Sequence, residues 1–83
     1  MEIKIFTMKG CPHCVTLKDK LQNENIEYTE YDIDKYSEMY DKFSKIVGNE
    51  YLPAILIGKT AYVPEKSFKT IDQAVGLIKD HLD

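Results

Sequence analysis

The sequence predicts an α/β fold, a four-stranded mixed sheet flanked by three helices in the order β-α-β-α-β-β-α, and three observations carry that reading. Strand-like apolar segments occur at 2–7, 26–31, 54–57 and 60–63. Segments with apolar residues three and four apart occur at 12–22, 35–47 and 65–82. The two kinds interleave along the chain in the way that layered sheet-and-helix proteins require.

In the first segment Ile3 and Ile5 alternate with Glu2 and Lys4, and Phe6 adds bulk on the opposite face, which is the pattern of a strand. Met8-Lys9-Gly10 then forms a short loop into Cys11-Pro12-His13-Cys14. From Pro12 the period changes, with Cys14, Leu17 and Leu21 on one helical face as far as about Gln22. Pro12 suits the first turn because its missing N–H has no intrahelical partner there. Asn23-Glu24-Asn25 interrupts the face, and Ile26, Tyr28 and Glu30 then alternate with Glu27, Thr29 and Tyr31 as a second strand. These three elements make a βαβ unit with parallel strands.

Tyr36, Met39, Tyr40, Phe43 and Val47 mark a second helix packed on the sheet, stopped by Gly48-Asn49. The apolar run Ala54-Ile55-Leu56-Ile57 reads as a strand covered on both faces, with Pro53 near its beginning where a missing donor is tolerated. Gly58-Lys59 turns this strand into a hairpin with Thr60-Ala61-Tyr62-Val63. Phe68, Ile71, Val75, Ile78 and Leu82 repeat at helical spacing and mark the last helix.

At 83 residues the chain is expected to form one domain over 1–83, with room for a single site. Its net charge is -3 and its 11 Lys and Arg are scattered, so the basic patch that nucleic-acid binding needs is missing. No apolar stretch is long enough to span a membrane. Met1-Glu2-Ile3-Lys4 opens straight into strand-like sequence without a charged-then-apolar leader, which reads as cytoplasmic.

Cys11 and Cys14 are the only cysteines. A bridge closing so short a loop restrains little of the unfolded chain, so it is a poor stabiliser. In a reducing compartment such a pair is redox-active or metal-binding. Zinc takes about four ligands, whereas the chain adds only His13 and a distant His81; redox chemistry is therefore the main reading, and a zinc or iron–sulfur module the alternative.

Cys11 falls at or just before a helix start, where unpaired N–H groups and the positive helix end stabilise a thiolate. Cys14 lies one turn further on the same face, more buried and more often protonated. Cys11 is thus the expected attacker and Cys14 the resolving thiol. An imidazolium at His13 would favour the Cys11 thiolate and make the couple more oxidising. Lys9 is either a solvated loop lysine or a cation beside an anionic thiol substrate, and Lys18, one turn past Cys14, is either an ordinary surface lysine, the favoured reading, or a weak contributor to the same potential. Leu52-Pro53 is either a trans peptide opening the strand or a cis peptide that offers backbone to an extended thiol peptide.

The stretch Phe6-Thr7-Met8-Lys9-Gly10-Cys11-Pro12-His13-Cys14, followed later by Leu52-Pro53-Ala54-Ile55-Leu56-Ile57, resembles the glutaredoxin family of the thioredoxin superfamily, in its dithiol form. The resemblance extends over essentially the whole chain in element order and spacing. It implies a thioredoxin-like fold and a glutathione-dependent dithiol–disulfide oxidoreductase acting on protein disulfides and glutathione mixed disulfides. It also implies no tightly bound cofactor, glutathione as reducing co-substrate, ribonucleotide reductase among the protein partners, and a cis Leu52–Pro53 bond facing the cysteines. A monomer is expected.

By this resemblance Cys11 is the nucleophile and Cys14 the resolving thiol. Lys9 and Pro12 lie beside bound glutathione, Lys9 near its carboxylate, and Leu52-Pro53 clamps the substrate backbone. Tyr51 stands where many relatives have threonine. The family's Gly-Gly turn and following acid are replaced here by Tyr62-Val63-Pro64-Glu65-Lys66-Ser67. Glu65, expected near the start of the last helix, either substitutes for that acid or simply complements the helix end. Val63-Pro64-Glu65 also resembles a turn of the glutaredoxin-like reductants recharged by thioredoxin reductase, the alternative source of electrons.

Overall fold

The computed structural model describes residues 2–82, and its elements follow the expected order. They are β1 (Ile3–Thr7), α1 (Pro12–Asn23), β2 (Thr29–Asp32), α2 (Ser37–Val47), β3 (Ala54–Ile57), β4 (Thr60–Tyr62) and α3 (Ile71–Leu82). The strands form one sheet in the order β2-β1-β3-β4, with β1 parallel to β2 and the other neighbours antiparallel. The two apolar strands β1 and β3 are thereby interior, and the more polar β2 and β4 take the edges.

Strand alternation divides the interior into two cores. Ile3, Ile5, Ile55 and Ile57 pack with Leu17 and Leu21 of α1 and with Ala74, Val75 and Ile78 of α3. Phe6 and Ala54 point to the other face, where Tyr40 and Phe43 of α2 cover them together with Val63. The Phe6 ring sits 4.8 Å from that of Phe43 and 5.6 Å from that of Tyr40, measured between centroids. Of the aromatic-rich stripe read on α2, Tyr40 and Phe43 are buried and Val47 is half-buried, while Tyr36 and Met39 are exposed.

Three boundaries differ from the sequence reading by two residues or more. β2 begins at Thr29 instead of 26, because the backbone of Ile26 is spent closing α1: its N–H donates to the Leu21 carbonyl at 2.9 Å, after Asn25 takes a left-handed φ of 57°. Ile26 and Tyr28 still pack on the α1/α3 core from outside the strand. α2 begins at Ser37 because Lys35 and Tyr36 first close a turn onto the Asp32 carbonyl.

The third correction matters most. α3 begins at Ile71, not 65, and residues 64–70 form a turn in which Pro64 and Phe68 bridge. Thr70 and Gln73 set the helix start by reciprocal capping: Gln73 N–H donates to Thr70 Oγ1 at 3.2 Å, while Gln73 Oε1 accepts from the amides of Lys69 and Thr70 at 2.7 and 3.4 Å. Glu65 is therefore a turn residue six positions ahead of the helix and contributes nothing to its dipole.

Candidate active site

β1 ends at Thr7, and the chain turns through Lys9 and Gly10, whose φ of 75° is a left-handed conformation natural to glycine. It then enters α1 with Cys11 as the N-cap. The Cys11 Sγ accepts a hydrogen bond from the Cys14 N–H at 3.2 Å, so the sulfur occupies the place usually held by a capping oxygen. Pro12 holds the first helical position, and no acidic residue lies in the first turn to offset the positive helix end. Negative charge on Cys11 is thus favoured by both a donor and the dipole.

Cys14 sits one turn below and is 1% exposed, whereas Cys11 is half-buried and reachable from solvent. The two cysteines are paired with their Cα atoms 5.3 Å apart, a separation that a disulfide spans. The arrangement can store and release two electrons. Among the described residues no three His, Cys, Asp or Glu side chains converge, and His81 is bonded instead to the Tyr62 hydroxyl at 3.3 Å.

Beside the cysteines lies a groove of about 420 Å³, a size suited to a small peptide. His13, Tyr51, Leu52, Pro53 and Glu65 all line it, so five of the nine residues singled out from the sequence meet there. The Leu52–Pro53 bond is cis, as the family resemblance implied, and Pro53 is fully buried beneath the groove. His13 and Tyr51 are exposed on its walls. Lys9 is exposed on the turn before Cys11 and is not a lining residue of the groove.

Pro64, Phe68, Lys69, Thr70 and Ile71 complete the lining, and the sequence reading missed them because it ran the last helix through them. The capping pattern Thr70-x-x-Gln73 was the available signal. A larger open depression between β2 and the α1–β2 connection, lined by Glu2, Gln22 and Thr29 among others, contains none of the site residues.

Lys18, one helical turn past Cys14, is engaged elsewhere. Its Nζ donates to Glu30 Oε2 at 3.0 Å, and the same oxygen accepts from the buried Thr7 hydroxyl at 2.6 Å. The Thr7 hydrogen bond, then that of Lys18, holds the Glu30 carboxyl below the usual carboxylate range. The resulting carboxylate neutralises the Lys18 charge locally, so Lys18 adds less to the potential at the cysteines than its sequence position suggests.

Glu65 adopts φ 71°, a left-handed conformation that costs a residue with a side chain about 1–2 kcal/mol relative to glycine. Glu65→Gly should therefore raise stability by about 1 kcal/mol after allowing for the extra freedom of the unfolded chain, or roughly 4–8 °C in thermal midpoint. Calorimetry checks this; an unchanged or lower midpoint would mean that the glutamate side chain makes stabilising contacts that outweigh its backbone strain.

The chain matches the family model described as Glutaredoxin over residues 3–62. A glutaredoxin of Pseudomonas aeruginosa is 29% identical over 58 residues, covering 70% of this chain and 69% of that protein. Among solved structures, a variant of a thioredoxin-like protein superposes with a TM-score of 0.72 at 18% identity, over 98% of this chain and 99% of the other. NrdH-redoxin from Escherichia coli, described as a glutaredoxin-like protein with a thioredoxin-like activity profile, gives 0.70 at 20% identity, over 88% and 93%. At these identities the structural likenesses speak to the thioredoxin-like fold.

Proposed function

This chain belongs to the glutaredoxin family and is a thiol–disulfide oxidoreductase, and from that premise we propose that it uses glutathione to reduce protein disulfides and glutathione mixed disulfides, with Cys11 as nucleophile. The carrying observation is the asymmetry of the pair: a reachable Cys11 sulfur capping a helix, and a buried Cys14 behind it.

The Cys11 thiolate attacks one sulfur of the substrate, forming a mixed disulfide and releasing a thiolate that takes up a proton. Cys14 then loses its proton and attacks the Cys11 sulfur, freeing the second substrate thiol and leaving the Cys11–Cys14 disulfide. Two electrons have passed to the substrate. Two glutathione molecules return them by the reverse exchange and leave as glutathione disulfide. His13, next to Cys11, favours the thiolate when protonated.

The groove supports glutathione as the co-substrate. The Leu52 backbone at the cis bond offers strand-like pairing to an extended peptide, Tyr51 and Pro53 pack against it, and Glu65 supplies a carboxylate for its amino end. Lys9 and Pro12 lie outside the groove lining but close to Cys11 in the chain, where they are within reach of a substrate held on its sulfur. Ribonucleotide reductase, whose turnover generates a protein disulfide, is a partner consistent with this chemistry.

A second reading is favoured by one feature. The start of α3 is closed by its own Thr70 and Gln73, which occupies amides that could otherwise receive a carboxylate. That favours recharging by thioredoxin reductase, in line with the activity profile named for the NrdH-redoxin structure. Steady-state reduction of a protein disulfide should be compared with glutathione, glutathione reductase and NADPH, and with thioredoxin reductase and NADPH. We expect the glutathione system to be faster by about tenfold or more, about 1.4 kcal/mol in barrier. Faster turnover with the flavoenzyme would transfer the assignment to the second reading.

A further inference from the structure

We infer that Asn49 is a positioning residue that sets the width of the substrate groove by binding both of its walls at once. One wall is the connection from α2 to β3, carrying Tyr51, Leu52 and Pro53; the other is the turn between β4 and α3, carrying Pro64 and Glu65. These walls are separate in sequence, and neither belongs to a strand or a helix. The β3–β4 ladder holds them together at their base, where Ile55 pairs with Tyr62, but it does not continue into the walls themselves.

The Asn49 side chain spans them. Its Oδ1 accepts from the Tyr51 N–H at 2.7 Å, and its Nδ2 donates to the Pro64 carbonyl at 2.9 Å. The two partners also fix the orientation of the amide, since a flipped group would set oxygen against the Pro64 oxygen and NH₂ against the Tyr51 N–H. Few side chains can replace it. Aspartate keeps the acceptor but has no donor, and its charge would repel the Pro64 carbonyl; alanine has neither group.

The backbone places Asn49 for this task. Gly48 ends α2 with φ 69°, its N–H bonding the Ser44 carbonyl at 2.8 Å, and the chain leaves the helix toward the β4–α3 turn. Lys66 adds a separate tie by donating to the Val47 carbonyl at the end of α2. The turn is closed on itself by Glu65 N–H to the Phe68 carbonyl and Ser67 N–H to the Val63 carbonyl. Removing the Asn49 amide consequently leaves the turn folded and attached, but frees the two walls to shift against each other. Asn49 touches neither cysteine in this arrangement, so its influence falls on how a peptide is held.

The inference rests on the reading of the groove as the glutathione site, and the experiment keeps the two separable. Wild type, Asn49→Ala and Asn49→Asp are compared by kcat and KM on a glutathionylated peptide, by the rate of Cys11 alkylation with iodoacetamide, and by the backbone amide resonances of Tyr51 and Glu65. Asn49→Ala should raise KM about five- to tenfold, as expected for loss of one or two ordinary hydrogen bonds, with kcat and alkylation rate within about twofold of wild type. Both amide resonances should move. Asn49→Asp should retain the Tyr51 resonance, displace that of Glu65, and reproduce most of the KM increase.

Unmoved amide resonances, or an unchanged KM in a wild type that saturates normally, would overturn the role of Asn49. A parallel fall in kcat, alkylation rate and thermal midpoint would overturn it too, by showing a general structural defect. If wild type itself fails to saturate with the glutathionylated peptide, the groove is not the glutathione site, and the amide resonances still decide whether Asn49 joins the walls.

Discussion

Cys11→Ser is expected to reduce disulfide-reductase activity to background, a loss of roughly 10³-fold or more, while Cys14→Ser divides the substrates into two groups. A serine hydroxyl at the N-cap keeps the hydrogen bond from the Cys14 N–H and so preserves the helix start. It does not ionise to a useful nucleophile at neutral pH, so the loss is chemical and not structural. Cys14 is buried, and in the proposed mechanism it acts only after a mixed disulfide has formed on Cys11. Without it, exchange with glutathionylated substrates continues because glutathione can resolve the intermediate, whereas protein disulfides stall as covalent adducts on Cys11. Steady-state rates on both substrate types, with non-reducing electrophoresis for the adduct, check this. Undiminished turnover of protein disulfides by Cys14→Ser would contradict the two-cysteine mechanism.

Phe6→Ala should destabilise the protein by about 3–5 kcal/mol, a large part of the roughly 5–15 kcal/mol that holds a typical domain folded. Phe6 has no exposed surface and is the large β1 residue facing α2, with its ring against Tyr31, Tyr40 and Phe43. Truncation loses apolar burial and three aromatic contacts, and it leaves a void between rigid elements that cannot close fully. Ile46 on α2 is the matched control, because it is 85% exposed and Ile46→Ala should change stability by less than about 0.5 kcal/mol. Urea denaturation of the reduced proteins measures both. A Phe6→Ala cost below about 1.5 kcal/mol would mean that the α2 layer can slide in to refill the space.

The sequence made Ile3, Ile5, Leu17, Leu21 and the Ala54–Ile57 run legible because each obeys the period of its own element and nothing nonlocal competes. Phe68 misled for a physical reason. It continues the helical spacing of α3 and is buried in the same core, but it reaches that core from a turn, through the bridge to Pro64. Period reports which side of the chain is apolar; the polar capping pair Thr70 and Gln73 reports where the helix begins.

The site divides in the same way. The cysteine pair was readable from spacing and position, and the cis Leu52–Pro53 bond only through the family resemblance. Glu65, expected at the helix start, lines the groove from the turn ahead of that helix. Asn49 was read only as a helix stop, because a side chain joining two loops by hydrogen bonds leaves no periodic trace.

Between Val63, which belongs to the α2-side core, and Phe68, which belongs to the opposite one, the chain crosses from one layer of the molecule to the other. The groove is built at that crossing, mostly from connections, with Phe68 the lining residue that also belongs to a core. Natural variation can accordingly rewrite residues 64–67 and 49–51 with little penalty to either packed layer, so ligand preference is free to diverge while the cysteine-bearing framework stays unaltered.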